Sequence, residues 1–210
     1  MARTRSESPP KYLLVGGRLC LDFCNTIRDR EGEPEERLTD YNELAGWGWR
    51  AGIFNAEEAA RLKRTARRSP TEALAVLERA IALREALHAV FLAVRGGRRP
   101  RPALLETLNH ELGRALARSQ VVVADRSFTW VWAEGGRALD SMLWPIARSA
   151  ADLLTSGDLD AVRQCGGRAC GWLFLDTSRN RTRRWCDMRI CGNRAKARRH
   201  HQRLRAAGAA

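Results

Sequence analysis

The chain has 210 residues, 44% hydrophobic and 29% charged, enough for one ordinary domain plus a small module and too apolar for wholesale disorder. No run approaches the ~20 apolar residues that cross a bilayer, and Leu13-Leu14-Val15 is too short for a signal-peptide core, so a cytoplasmic location with reduced thiols and no membrane partner is expected. Of the +13 net charge, +11 sits in residues 161–210, which hold 13 bases and two acids (Asp176 and Asp187); residues 1–160 are nearly neutral, with 24 bases and 22 acids. Such asymmetry points to a polyanionic partner for the C-terminal segment.

Residues 1–11 read as a flexible arm. Leu19, Leu21, Phe23 and Ile27 predict a buried helix over Leu19 to Ile27, and Gly32 and Pro34 make Glu31 to Glu36 a loop. Thr39 or Asp40 can cap a helix that turns Tyr41, Leu44, Trp47 and Trp49 toward the core, and Asn55 can cap the next, with Glu57 and Glu58 in its first turn. Pro70 opens the longest helix, Thr71 to Val94. Its two apolar stripes (Leu74, Leu77, Ile81, Phe91 and Val76, Leu83, Leu87, Val90, Val94) predict burial on two sides, as for the central helix of a bundle. Gly96-Gly97 ends it, and a further helix runs from about Pro102 to Ala117. Val121 to Val123 and Phe128 to Trp132, separated by Asp125-Arg126-Ser127, predict a short hairpin. Ala138 to Leu154 reads as a helix with Leu139, Met142, Leu143, Ile146 and Leu153 inward and Pro145 as a kink. Thr155 to Asp158 reads as a hinge, so the helical part is expected to fold without the basic C-terminal module.

The chemistry concentrates in residues 165–191. Cys165-x4-Cys170 and Cys186-x4-Cys191 are two pairs of equal spacing, and both follow the pattern C-x-x-R-x-C-G. Two short thiolate loops facing each other can supply four sulfurs in a tetrahedron at about 2.3 Å from one structural zinc. An iron–sulfur cluster would take the same four thiolates, and two disulfides are opposed by a reducing compartment. A module this small needs its metal to fold. Gly171 and Gly192 follow the second cysteine of each pair, where the missing Cβ lets backbone N–H groups turn toward sulfur. Trp172 to Asp176 alternates like a strand, and Arg183-Arg184-Trp185 is expected to return beside it, with Trp172 and Trp185 across from each other.

After Cys191 comes Gly192-Asn193-Arg194-Ala195-Lys196-Ala197-Arg198-Arg199-His200-His201-Gln202-Arg203-Leu204-Arg205, a helical pattern with almost no apolar face and no acid. A merely solvated helix face mixes acids with bases, so this one is read as a nucleic-acid surface, duplex DNA before RNA. The expected contacts are Arg194, Lys196, Arg198, Arg199 and Arg203 from the helix and Arg179, Arg181, Arg183 and Arg184 from the hairpin.

Cys191-Gly192-Asn193-Arg194, together with Trp172 to Cys186, resembles the CGNR zinc finger proteins. Leu21-Asp22-Phe23-x-Asn25-Thr26 and Leu38-x-Asp40-Tyr41-x-x-Leu44-x-x-Trp47 are similar to the helical ABATE domain that precedes the finger in that family. The resemblance implies a bacterial, stress-linked transcription regulator. One departure is Cys24, where the family usually has an aliphatic residue, which favours packing over redox chemistry at that position. The expected fold class is mainly α. An N-terminal helical bundle domain with a small β-hairpin occupies residues 12–155, a treble-clef-like zinc finger residues 160–205, and a tail residues 206–210. The helical domain would sense a small-molecule effector or form a homodimer.

Other candidate sites are weaker. Cys20 and Cys24, among Leu19, Leu21 and Phe23, read as core thiols, and His88 as a core histidine on an apolar stripe. Asp22 and Asn25 suit structural hydrogen bonds better than a ligand. His110-Glu111 lacks the second histidine of a zincin helix, and no phosphate-binding loop or nucleophile set stands out, so no catalytic residue and no enzymatic activity are expected. Two alternatives remain: an RNA-binding zinc protein that stacks unpaired bases, and an enzyme whose site lies in the helical domain with the finger as scaffold.

Overall fold

The computed structural model describes residues 11–133 and 137–208; the expected N-terminal arm, Lys11 apart, lies outside them. In chain order the elements are α1 (Leu19–Cys24), β1 (Ile27–Arg28), β2 (Glu35–Glu36), α2 (Tyr41–Arg50), α3 (Ala56–Arg68), α4 (Pro70–Arg95), α5 (Pro102–Leu116), β3 (Ser119–Ala124), β4 (Ser127–Trp132), α6 (Leu143–Leu154), β5 (Val162–Gln164), β6 (Leu173–Leu175) and α7 (Asn193–Gly208). The strands form three separate antiparallel pairs, β1–β2, β3–β4 and β5–β6. The fold is mainly α, with the finger at its C-terminal end, as expected.

Local signals place the helices. The Asp40 side chain accepts from the Glu43 amide at 2.9 Å at the start of α2, and Asn55 and Glu58 form a reciprocal capping box at the start of α3. Such caps contribute about 1 kcal/mol each. Pro70 sits in the first turn of α4, where its missing N–H costs nothing. Helix α4 packs against α1, α2, α3 and α5 at the centre of the core, burying Val76, Leu83, Leu87 and Val90 on one side and Leu77 and Phe91 on another. Leu74, expected on the same stripe as Leu77 and Phe91, lies near the start of α4 and stays in solvent.

Three expectations are corrected. Trp49 is 56% exposed, because residues two apart on a helix point in nearly opposite directions. Trp47 takes the core position, 5.0 Å from Phe23. Helix α6 starts at Leu143 rather than Ala138, so Pro145 falls in its first turn and starts the helix instead of kinking it. Ile27 leaves the helix and pairs with Glu36 in β1–β2.

Buried polar groups tie the helices together. Arg79 grips both carboxylate oxygens of Glu111 at 2.9 and 2.6 Å, and Arg114 reaches Asp140 at 2.7 Å. Arg84, 1% exposed, holds Glu36 through two bonds of 2.8 and 2.6 Å and Glu85 through a third of 2.8 Å, fastening β2 to α4.

The largest difference from the sequence reading is the expected hinge, because the finger shares the core of the helical part. Val162, Leu173 and Leu175 belong to the same buried cluster as Leu21, Leu83 and Ile146. Strand β6 is central: one edge pairs with β5, and the other is held by the segment around α1. The Asn25 amide donates to the Leu173 carbonyl and accepts from the Leu173 N–H, both at 2.8 Å, so one side chain completes a strand pairing. The Leu175 N–H donates to the Gly16 carbonyl at 2.8 Å, and Asp22 fixes that turn by accepting from the Gly16 N–H at 2.7 Å. The Trp172 indole N–H reaches the Ile27 carbonyl at 2.6 Å.

Replacing Asn25, 4% exposed, by Ala should strand two buried backbone groups of Leu173 and destabilise the protein by about 2–4 kcal/mol. Chemical denaturation should show a lowered midpoint, with helical part and finger still unfolding in one transition. Two well-separated transitions in the unaltered protein would contradict the shared core.

Candidate metal centre and basic helix

Each cysteine is placed by a different local device. Cys165 follows β5 directly, and its N–H donates to the Trp172 carbonyl at 2.7 Å, closing the first loop at its neck. Cys170 ends that loop at Gly171, whose φ of +64° and a virtual Cβ 2.8 Å from Glu31 Cγ leave room only for glycine. Cys186 follows a loop organised by the buried carboxylate of Asp176, which accepts from the Ser178 N–H and hydroxyl at 3.0 and 2.6 Å and from the Arg183 N–H at 2.9 Å. Cys191 lies in a π turn, Met188–Gly192, where the Cys191 and Gly192 N–H groups both donate to the Asp187 carbonyl at 3.0 and 3.2 Å. A Cβ on Gly192 would come within 2.4 Å of Met188 Sδ.

All four Sγ atoms lie within 4.8 Å of one another and all four residues are buried. The Cys170–Cys186 and Cys186–Cys191 sulfur separations are 3.7 and 3.6 Å. A tetrahedron with bonds of about 2.3 Å has edges of about 3.8 Å, so the sulfurs stand at ligand spacing for zinc. The Cys186 N–H also points at Cys165 Sγ, 3.3 Å away. Without a cation the four cannot ionise together: contact with the Cys165 sulfur pushes the Cys170 and Cys186 thiols well up, while contact with Cys170 drives Cys165 down. A dication removes that conflict. The donor set is four soft thiolates with no carboxylate or imidazole in the cluster, which suits a closed structural zinc site. Zinc here supplies cross-linking of the two loops.

Trp172 and Phe174 pack with the cysteines, and Leu13, Val15, Trp185 and Ile190 close the jacket. The return strand expected at Arg183 to Trp185 is absent, since both edges of β6 are already taken. That segment meets the first loop at Gly166, whose N–H donates to the Arg184 carbonyl at 2.9 Å and which lies beside the Trp185 ring.

The basic residues divide. Arg194, Lys196, Arg198, Arg199 and Arg203 are exposed along α7, and Arg179, Arg181 and Arg184 are exposed in the loop before Cys186. Arg183 is committed inward: its guanidinium lies 4.3 Å from the Phe174 ring centre and donates to the carbonyls of Trp185, Cys186 and Val15. It positions the Cys186 loop. Residues 206–208 continue α7.

Among the lesser candidates, His88 sits 3.3 Å from the Gly171 carbonyl, and burial pushes it down to about 4, so it is neutral. Burial likewise raises the Cys20 thiol to about 12, as for an inert core cysteine. Asp22 and Asn25 both make the structural hydrogen bonds expected of them, but that the partner of Asn25 is Leu173 is not visible in the sequence.

The ABATE family model, described as "Putative stress-induced transcription regulator", matches residues 17–157, and the CGNR zinc finger model matches residues 161–204. No curated protein matches the chain.

The purified protein should carry one zinc per chain, and Cys186→Ser should carry almost none after dialysis against a chelator. Because β6 is bonded to α1, the variant should also lose thermal stability in the helical part, by roughly 10 °C or more at about 2–4 °C per kcal/mol. Full zinc retention by the variant would contradict the ligand assignment.

Proposed function

The chain belongs to the ABATE family and carries a CGNR zinc finger, and from that premise we propose that it regulates transcription by binding duplex DNA through α7 and the loop before Cys186. The observation that carries this reading is α7 itself. Its sequence from Asn193 to Gly208 holds six bases and no acid, and every residue from Lys196 to Arg205 is exposed. A helix of this length that is packed at its first turn and exposed beyond it is marginal in water, and its like charges repel. A polyanion relieves both problems at once. The zinc ligand Cys191 stands two residues before the helix, so the metal anchors the helix by its first turn.

Duplex DNA is favoured over RNA on groove shape: the B-form major groove admits an α-helix, whereas the A-form major groove is deep and narrow. In this reading the cytoplasmic protein performs no catalytic step, and the nearly neutral helical part supplies recognition of other kinds. A small-molecule effector would fit the cleft of about 540 Å³ where Leu13 and Arg37 face Trp172, Ile190 and Arg194 across the two parts. A homodimer would use the β3–β4 ribbon, where Val121, Val123, Phe128 and Trp130 form one exposed apolar face.

Salt dependence tests the DNA reading. Six phosphate contacts would give a slope of log K against log salt near −5, at roughly −0.9 per phosphate. Arg198→Ala with Arg199→Ala should make the slope shallower by about 2 while leaving zinc content unchanged. An unchanged slope and affinity would make α7 a solvated face. Equal competition by structured RNA would shift the reading to an RNA partner.

A further inference from the structure

At about 100° per residue, the bases of α7 fall into two strips. Arg194, Arg198 and Arg205 share one, with His201 between them, and Lys196, Arg199 and Arg203 share the other, nearly opposite. Two arcs separate them. One carries Ala195 and Gln202 and faces the finger, since Ala195 is buried at 7% exposure. The other carries Ala197, His200 and Leu204, all exposed, with Leu204 at 56%. Helix α7 packs on the π turn before it, so this second arc is the side turned away from the protein.

We propose that the arc of Ala197, His200 and Leu204 is the leading edge of α7 in the major groove and selects thymine-containing sites. The inference rests on the DNA-binding reading above and adds the residues that set specificity. A helix about 10–12 Å across fills a groove about 12 Å wide, so a basic strip on each flank meets one wall of phosphates. The edge between the strips then meets the base edges. Two of the three side chains there, Ala197 and Leu204, are apolar and exposed to solvent. The thymine C5-methyl is the apolar group that the major groove offers. Ala197 and Leu204 are two turns apart, about 10 Å along the helix, which spans roughly three base-pair steps. The preferred half-site therefore holds thymines about three steps apart, on either strand, with His200 bonding to the base edge between them. Phosphate contacts alone carry no such preference.

The test is selection of duplexes from a random pool by the zinc-loaded full-length protein, followed by replacement of each thymine in the selected site by uracil, which removes one methyl group and leaves every phosphate. Selected sites should contain the spaced thymines, and each uracil should weaken binding about fourfold, the worth of one buried methyl. Leu204→Asn should become insensitive at one of the two positions, whereas Gln202→Ala, on the opposite arc, should keep the full pattern. Leu204 is exposed, so its replacement should leave zinc content unchanged. A steep salt slope without any uracil effect would overturn the leading edge and leave DNA binding standing. So would a thymine preference lost in Gln202→Ala and kept in Leu204→Asn. A salt slope near zero would overturn both.

Discussion

Four buried thiolates repel one another, and Cys165, Cys170, Cys186 and Cys191 can occupy their shared space as ligands only around a cation. The chain brings them there with two loops of the same length but different construction. The first is closed by strand pairing between β5 and β6, the second by a π turn that runs straight into α7. The metal therefore sets two things together. It locks the β5–β6 pair, and it fixes the first turn of α7, which is exposed from Lys196 to Arg205.

The β5–β6 pair is also where the finger meets the helical part. A three-residue strand is too short to be stable alone, and β6 is stable because its second edge belongs to Asn25 and Gly16. The motif Leu21-Asp22-Phe23-x-Asn25-Thr26 thus has a role at every position that points inward. Leu21 and Phe23 fill the core, Asp22 sets the Gly16 turn, Asn25 clamps Leu173, and Thr26 donates to the Phe23 carbonyl while accepting from buried Arg84. Arg84 then passes the connection to β2 and α4 through Glu36 and Glu85. Strand β6 thus joins the metal centre to α1.

What is legible in the sequence is local. The spacing of the four cysteines, the caps at Asp40 and Asn55, the length of α4 and the acid-free run after Cys191 all follow from neighbours within a few residues. The features it hides depend on partners far along the chain. Nothing near Leu173 announces Asn25, 148 residues away, so the sequence offers the strand only its near neighbour at Arg183 to Trp185 as partner. Arg183 looks like Arg181 and Arg184 because charge patterning cannot see the Phe174 ring beneath it. Composition draws Trp49 toward the core, although helix geometry alone places it opposite Trp47, and Pro145 marks a helix start that depends on where the preceding turn ends.

The central claim is that metal centre, seam and basic helix form one cooperative unit. Hydrogen exchange measured along the chain as zinc is titrated into metal-free protein tests it most directly. Protection should rise together in β5, β6 and the first turn of α7, and also across the seam in α1 and in the α4 turn around His88. Protection that rises only between residues 161 and 192, with α1 already fully protected in the metal-free protein, would contradict it.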